Sequence, residues 1–336
     1  MFRIGLISRW HPHSHQDDQR YLKEFVGLPD CKVTCVWDED PEIAKAWGEE
    51  WNVDVESSLE SLLSRDDVDG VLVTSCPTDH KEILIAAANH KKHIFTEKVL
   101  SYSLEDAYAI RDAVKKNGIK FCISFNRLAI KQFYYAKKLI DEGTLGTPLY
   151  FRCMCGHDQG YKDTLPHYWY DPAKSGGGAM IDLGFNSTYL ARYIMGAFES
   201  VSSSFSYDII HKPVEDTASC NVRFKNGAMG LLEATYVSPL LSVFELAVYG
   251  TEGSYYARFG GNDVAELRLA GKNSEILSLD DMEIDIKTPV ATWVDAVVNG
   301  GSDELYGIDA AVDMVDFMIA AYQSHEENGK RIQING

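Results

Sequence analysis

An acid and a base, Glu97 and Lys98, follow directly after the short apolar run His93–Thr96. Such a run between polar segments is typical of a buried parallel strand, and ligands of open α/β sheets bind beyond the carboxyl ends of these strands. A lysine buried there could polarise an oxygen and exchange its proton, because desolvation lowers the pKa of an amine. On these two residues alone, a solvated ion pair at the end of a strand is the more ordinary explanation, so the rest of the chain has to decide.

The loop after the first predicted strand, residues 5–15, carries three histidines and an arginine. A turn that binds a dinucleotide would read G-x-G-x-x-G, and if the next helix begins at Gln16 the glycine positions fall on Ser8, Trp10 and His13. Trp10 places a large ring where a backbone normally touches the cofactor, but a helix N-terminus can still hold a phosphate. The loop residues that we expect to contact a cofactor are Ser8, Arg9, Trp10, His11 and His13.

Asp38 follows the second predicted strand, Cys31–Trp37. An acid at this position can accept hydrogen bonds from the hydroxyls of the adenosine ribose, and it would repel a 2′-phosphate. We therefore expect NAD as the cofactor and consider NADP less suited to the site.

The elements that position these residues alternate between strand and helix over residues 1–124, which predicts a doubly wound parallel sheet of the Rossmann type. The pattern then changes to a long polar and aromatic loop at 157–174, a helix at 179–195 and successive alternating strands over 199–259. We predict an α/β protein whose second domain, residues 125–336, is α+β with a large, mostly antiparallel sheet. One face of that sheet would be exposed in a monomer, so we expect a homodimer or homotetramer.

The composition limits the partners. The chain has 336 residues and a net charge of −18, which argues against nucleic acid and anionic membranes because their phosphates would be repelled. No apolar run approaches the length of a bilayer span and no signal-peptide pattern is present, so we expect a cytoplasmic protein. The seven cysteines are best interpreted as reduced thiols.

Several short motifs lie at the ends of the predicted elements. They are Cys76-Pro77-Thr-Asp-His80, Glu97-Lys98-Val99, Phe125-Asn126-Arg127, Tyr170-Asp171-Pro172 and Ser175-Gly-Gly-Gly-Ala-Met-Ile-Asp182. Each is weak alone, but together they resemble the motifs of the glucose-fructose oxidoreductase and inositol dehydrogenase (Gfo/Idh/MocA) family over nearly the whole chain. The resemblance implies an NAD(P)-dependent oxidoreductase of sugars, polyols or their derivatives.

The resemblance also implies roles for single residues. In the family, the lysine placed like Lys98 contacts the nicotinamide ribose and the reacting hydroxyl, and the acid placed like Glu97 helps to hold the cofactor. A helix carries an aspartate, here Asp182, and four residues later a histidine that acts as the general base. This chain has Asn186 at that place. The remaining cofactor contacts implied are Ser75, Pro77, His80 and Asn126.

The general base is therefore open. An amide cannot take a proton at neutral pH, so Asn186 can orient a hydroxyl but cannot act as the base. We expect Lys98 to be the acid/base and His167, in the long loop, to be the leading substitute, while Asp182 and Asn186 position the substrate. Aromatic residues of that loop could form a wall for a sugar ring. The predicted substrate contacts are Lys98, Arg127, His157, Tyr161, His167, Asp182 and Asn186.

Two alternatives keep the fold and change the function. Some members of the family use NAD transiently to cleave glycosides without net redox, which would show as bound NAD that survives purification. A binding protein on a dehydrogenase scaffold would explain Trp10 and Asn186, but Lys98 and Asp182 count against it.

A metal site is a further alternative. The two candidate sets are His11, His13 and His15, and Cys153, Cys155 and His157. Pro12 and the following helix make an extended first set improbable, and buried strand cysteines usually belong to the core. We therefore predict no metal.

Overall fold

The computed structural model describes residues 1–238, 243–261, 263–280 and 282–334, which form two compact units. The first unit contains residues 1–125 and 287–315, and the second contains residues 126–286 and 316–336. The sequence-based division placed all of 125–336 in one domain, whereas in the structure residues 287–315 group with the first unit.

The helix α9, Pro289–Asn299, explains this difference. Its Trp293 is fully buried and packs at 4.8 Å from the ring of Phe2 and at 5.8 Å from the ring of Phe95. Because both partners lie on strands of the first unit, burial of this large aromatic side chain fixes the helix there.

In the described residues, the first unit has one six-stranded sheet in the order β3-β2-β1-β4-β5-β6. Its neighbouring strands are parallel, which confirms the predicted parallel sheet. The strands are β1 Phe2–Ile7, β2 Cys31–Trp37, β3 Asp54–Val55, β4 Gly70–Val73, β5 His93–Thr96 and β6 Phe121–Ile123. The helices are α1 Arg20–Gly27, α2 Pro41–Trp51, α3 Leu59–Leu63, α4 His80–Asn89 and α5 Leu104–Asn117, together with α9. The strand order reverses direction beside β1, which is where ligands of doubly wound sheets bind.

Local sequence explains these elements. The strand β4 is wholly buried and apolar, as expected of a parallel strand covered on both faces. The helix α2 begins where the Asp40 side chain accepts the N–H of Glu42 and Pro41 fills the first turn, and α5 begins where Ser103 accepts the N–H of Asp106.

The second unit contains a large sheet with the order β14-β13-β12-β11-β7-β10-β9-β8-β15 among the described strands. Its neighbours are antiparallel apart from β7 and β10, which confirms a mostly antiparallel sheet. The strands are β7 Pro148–Gly156, β8 Phe198–Ser206, β9 Thr217–Phe224, β10 Met229–Thr235, β11 Val243–Gly250, β12 Gly253–Phe259, β13 Val264–Leu269, β14 Glu275–Ile276 and β15 Ile332–Gln333. The helices are α6 Lys131–Asp141, α7 Pro172–Ser175, α8 Phe185–Met195 and α10 Ile308–Glu326, which spans the division between the units.

Alternation along β7 shows how this sheet is covered. Phe151, Cys153 and Cys155 point to the face on which α8 packs and are buried, whereas Arg152 and Met154 point to the other face and are more exposed. Over the described part of the chain, no helix has the length and apolar character needed to cross a bilayer.

Candidate functional site

The loop after β1 is longer than the sequence predicted. We expected a helix from Gln16, but α1 begins at Arg20, so the spacing of a G-x-G-x-x-G turn is not kept. Ser8 has a φ of 59°, the left-handed conformation that a first glycine would adopt, so the tight turn itself remains. A 3₁₀ turn at Pro12–Ser14 follows, and its N-cap is His11, whose Nδ1 accepts the N–H of His13 at 3.1 Å.

This loop folds onto the carboxyl end of β5 through what we call the Glu97 cluster: His11, His13, Tyr21 and Glu97. Nδ1 of His13 lies 2.7 Å from Oε1 of Glu97, and the hydroxyl of Tyr21 donates to Oε2 at 2.7 Å. Nε2 of His11 lies 3.4 Å from Oε1. Burial alone would raise the pKa of Glu97, but the imidazoles of His11 and His13 hold it well below its ordinary value. Glu97 is thus an ionised carboxylate that is only 1% exposed.

The hydrogen bonds assign the ring protons of the two histidines. Nδ1 of His11 accepts an N–H, so its neutral ring carries the proton on Nε2, towards Glu97. The neutral ring of His13 carries its proton on Nδ1, also towards Glu97, which leaves a lone pair on Nε2. The side chain of His13 is 22% exposed, so the ring that carries this lone pair is partly open to solvent.

The same geometry bears on metal binding. One ligand atom each from His11, His13 and Glu97 lies within 4.8 Å of the others, a spacing that could hold an ion. Coordination by Nε2 of His11 would require its proton to move to Nδ1, which already accepts the N–H of His13. We therefore assign hydrogen bonds and not a metal to this cluster.

Asp38, at the carboxyl end of β2, is 7% exposed and accepts the N–H of Arg9 at 2.6 Å and of Asp40 at 2.9 Å. Each carboxylate oxygen has two lone pairs, so both bonds leave capacity for a ribose hydroxyl. The guanidinium of Arg9 pairs with Glu50 at 2.8 Å and its Nε donates to the carbonyl of Ser14 at 3.0 Å. Arg9 thus holds the loop against α2.

The carboxyl end of β4 offers a further polar atom. The hydroxyl oxygen of Ser75 is buried without a hydrogen-bond partner among the described residues, which leaves it available to a ligand. Pro77 is buried beside it. With Asp38, these residues fit a dinucleotide that lies across the carboxyl edge of the sheet.

His80 lies wholly inside the first unit and does not face solvent. Its Nδ1–H donates to the carbonyl of Leu100 at 3.1 Å, and burial lowers its pKa to about 4. The residue therefore braces the segment after Lys98. Lys98 itself is half-buried, and its backbone N–H donates to Oγ of Ser124 at 2.9 Å.

In the second unit, Asp182 lies in a π-helical turn, Met180–Gly184, and α8 starts only at Phe185, where one continuous helix was predicted. Oδ2 of Asp182 accepts the hydroxyl proton of Tyr236 at 3.1 Å. Tyr236 is fully buried, and burial with the nearby Asp182 carboxylate raises its pKa well above the ordinary value. Tyr236 is therefore a permanent donor that orients Asp182.

Asn186 is engaged within its own helix. Its Nδ2 donates to the carbonyls of Leu183 at 3.2 Å and Asp182 at 3.4 Å, and its Oδ1 accepts the hydroxyl proton of Tyr189 at 2.9 Å. The hydroxyl oxygen of Tyr189 in turn accepts the N–H of Arg127 at 3.0 Å. We call Asp182, Asn186, Tyr189 and Tyr236 the Asp182 cluster.

The remaining predicted contacts are held in different ways. The guanidinium of Arg127 stacks at 3.9 Å over the ring of Phe244, and Asn126 begins the same 3₁₀ turn as Arg127. The ring of His157 stacks on Tyr236 at 5.2 Å, and its Nδ1 accepts the N–H of Gln159 at 3.3 Å.

The aromatic residues of the long loop, which we predicted to form a wall for a sugar ring, differ in their exposure. Tyr161 is 66% exposed, whereas Trp169 and Tyr170 are buried. His167 is exposed, and its ring has no hydrogen-bond or ion-pair partner within the described ranges. Nothing in the second unit therefore orients His167 as a base.

Sequence reasoning missed three residues that complete these clusters. Tyr21 and Tyr236 carried no local signal, because each looks like an ordinary core aromatic in its own segment. Glu215 belongs to a short acidic motif, and its carboxylate accepts the N–H groups of Gly178 and Met180, both at 2.8 Å. This buried acid holds the glycine-rich segment that leads into the turn with Asp182.

Comparisons with known proteins agree with this geometry. A model described as an oxidoreductase family with an NAD-binding Rossmann fold matches residues 5–125, and a GFO/IDH/MocA C-terminal domain model matches residues 133–256. The chain is similar to scyllo-inositol 2-dehydrogenase (NAD(+)) of Bacillus subtilis (strain 168), with 28% identity over 331 residues that cover 94% of this chain and 92% of that protein.

Two further likenesses concern levoglucosan dehydrogenase. The enzyme of Pseudarthrobacter phenanthrenivorans is 28% identical over 297 residues, covering 81% of this chain and 76% of that protein. A solved structure of levoglucosan dehydrogenase in complex with NADH and levoglucosan has a TM-score of 0.86 at 23% identity and covers 100% of both chains, which supports the fold. The chain therefore belongs to the Gfo/Idh/MocA family of oxidoreductases, with NAD as its cofactor.

Proposed function

We propose that the enzyme oxidises a secondary hydroxyl of a sugar, cyclic polyol or related compound, and reduces the ketone in the reverse direction. The observation that carries the proposal is the position of Lys98, directly after Glu97 at the carboxyl end of β5 in the NAD-binding unit. The substrate class is supported by relatives named as dehydrogenases of scyllo-inositol and levoglucosan.

The residues of the chain divide the work. Lys98 donates a hydrogen bond to the reacting oxygen, polarises its C–O bond and exchanges its proton. Asp182, oriented by Tyr236, binds a hydroxyl of the substrate. Asn186 supports this region through Tyr189, because an amide is not basic enough to accept the proton. The bound nicotinamide supplies the hydride acceptor or donor.

The first experiment measures cofactor binding. Freshly purified protein is denatured and its supernatant assayed for nicotinamide nucleotide, and the stripped protein is titrated with NADH and NADPH. We expect NADH to bind more tightly than NADPH, because Asp38 would repel a 2′-phosphate. If neither nucleotide binds, Trp10 closes the site and the oxidoreductase proposal fails.

The second experiment tests Lys98. After a screen of inositols, anhydrosugars and free sugars, we expect Lys98→Ala to lower kcat on the best substrate about 10³-fold, since general acid–base groups contribute factors of about 10²–10⁴. The control is Lys116→Ala, an exposed lysine at the end of α5. Normal turnover by Lys98→Ala would refute the assignment.

The alternatives give different outcomes in the same experiments. The comparisons do not favour the glycoside-cleaving alternative, which requires glycoside conversion without added cofactor. A non-catalytic binding protein would bind NADH or a sugar and turn over none of the screened substrates.

We also propose a homodimer or homotetramer built on the open face of the second unit's sheet. Tyr150 is in register with Met229 on one side and Tyr249 on the other, and the two outer residues are each 47% exposed. Such a row of large apolar side chains supports an interface. Light scattering on the parent and on Met229→Glu with Tyr249→Glu should show a shift to monomer.

A further inference from the structure

The proposed function leaves one question that the Glu97 cluster can answer, namely which group takes the proton from the substrate hydroxyl. A general base needs a lone pair aimed outwards and a partner that stabilises the protonated form. We therefore compare four histidines of the two loops, His11, His13, His157 and His167, by the proton positions that their hydrogen bonds assign.

Three of these histidines are unsuitable. Nδ1 of His157 accepts the N–H of Gln159, so its neutral ring carries a proton on Nε2 and has no nitrogen lone pair left to take a proton. His11 carries its Nε2 proton towards Glu97 and uses Nδ1 inside the 3₁₀ turn, so it has no outward lone pair. His167 is exposed, and no group fixes its ring.

His13 differs from all three. Its Nδ1–H is held at 2.7 Å by a carboxylate that is 1% exposed, and its partly exposed ring leaves Nε2 as an acceptor. Tyr21 fixes the same pair, because its hydroxyl donates to Glu97 and lies 3.1 Å from Nδ1 of His13. Glu97 is also the residue next to Lys98 in the chain. Its hydrogen bond therefore holds the imidazole of His13 at the end of the strand that carries Lys98.

We propose that His13 is the general base of the oxidation and that Glu97 is its positioning residue. The inference rests on the proposed function and refines the proton exchange assigned to Lys98, which remains the hydrogen-bond donor to the reacting oxygen. The hydroxyl O–H bond breaks and its proton goes to Nε2 of His13, while the C–H hydride goes to NAD, so one ketone, one NADH and one proton are formed. The imidazolium is stabilised by the Glu97 carboxylate and returns its proton to water at the exposed edge.

Other charges around His13 also affect its protonation. The titratable groups that face it are Glu97, Tyr21, His11 and Asp18. The test therefore compares pH profiles between variants that leave these four groups in place.

The decisive variant is His13→Asn, whose amide can still donate to Glu97 but has no nitrogen at the position of Nε2. At saturating NAD we expect kcat to fall about 10²–10³-fold, with the acid limb of the kcat/KM profile lost. His15→Asn is the matched control, because His15 lies in the same loop and is exposed, and its ring bonds to the carbonyl of Arg9.

Chemical rescue separates catalysis from structure. Added imidazole should restore part of the activity of His13→Ala and have no effect on His15→Ala, whereas a purely structural loss would not respond. The inference is overturned if His13→Asn keeps kcat within about threefold of the parent, or if its loss is explained by weaker NADH binding. If the parent turns over no polyol, the proposed function fails, and the role of His13 fails with it. If the parent is active and His13→Asn is too, only the role of His13 fails.

Discussion

The Glu97 cluster and the Asp182 cluster each centre on a carboxylate, but they enclose it to different degrees. Glu97 is 1% exposed and is approached by two imidazoles and a phenol. Asp182 is half-buried, and the buried phenol of Tyr236 donates to it. An enclosed carboxylate can act on a ligand only through a neighbour, whereas a half-open one can bind the ligand itself.

The two clusters also differ in a neighbouring side chain, which is the imidazole of His13 in the Glu97 cluster and the amide of Asn186 in the Asp182 cluster. In the first cluster the carboxylate leaves an outward nitrogen on His13, which can exchange a proton. In the second cluster, the Asn186 amide donates through Nδ2 to the carbonyl of Leu183 and accepts at Oδ1 from the hydroxyl of Tyr189. The proposed roles therefore assign proton chemistry to the cofactor-binding unit and substrate positioning to the second unit.

The largest expected effect is on stability, from replacing each carboxylate by its amide. Glu97→Gln puts an NH₂ group against either the Nδ1–H of His13 or the hydroxyl of Tyr21, and a buried donor that faces a donor should lower the free energy of unfolding by about 3 kcal/mol. Asp182→Asn keeps an oxygen for Tyr236 and should cost less than about 1 kcal/mol.

Urea unfolding followed by fluorescence and circular dichroism measures both free energies. Equal losses in the two variants would mean that the burial of Glu97 does not distinguish the clusters. A loss confined to Asp182→Asn would reverse the comparison.

The parts of the molecule that sequence could predict are those set by local patterns. The strand β5 was predicted at its observed bounds, because an apolar run between polar residues fixes where a parallel strand begins and ends. The carboxyl end of that strand then placed Glu97 and Lys98 correctly. The π-helical turn was not predicted. Its backbone hydrogen bonds join residues five apart instead of four, and composition carries no sign of this difference.

The contacts that make the site could not be predicted in the same way. Glu97 and His13 are 84 residues apart, and Asp182 and Tyr236 are 54 apart. Local periodicity gives the face on which a side chain lies, but it does not say which distant side chain meets it. The motif comparison suggested Asn186 as a substrate contact, whereas the structure uses both ends of its amide inside the second unit.

The second prediction concerns His80, which is buried like Glu97 but has no ion-pair partner among the residues that the structure describes. Burial lowers its folded pKa to about 4 from an ordinary value near 6.5, so its stabilising contribution is complete above pH 6.5 and is lost as the pH falls towards 4. Relative to His80→Asn, the parent should lose about 2–3 kcal/mol of unfolding free energy between pH 7 and pH 4.5.

Denaturant titrations at a series of pH values give this difference, and subtraction of the variant removes the other titrating groups. His15→Asn is the matched control, because an exposed histidine should leave the pH dependence of the parent unchanged. If the unfolding free energies of the parent and of His80→Asn change in parallel with pH, the pKa of His80 is not lowered by burial and this prediction is wrong.

The smallest expected effect tests whether the amide of Asn186 forms its hydrogen bonds within the protein and not with the substrate. Tyr189→Phe removes the hydroxyl that donates to Oδ1 of Asn186 and accepts the N–H of Arg127, and should cost about 1 kcal/mol of unfolding free energy. Tyr193→Phe, one turn further along α8, is the control and should change stability by less than about 0.5 kcal/mol. Because the amide of Asn186 serves the helix, the KM for the polyol should stay within about twofold in both variants. A tenfold rise of KM in Tyr189→Phe alone would instead make Asn186 or Arg127 a substrate contact, and would bring the second cluster closer to the first in its chemistry.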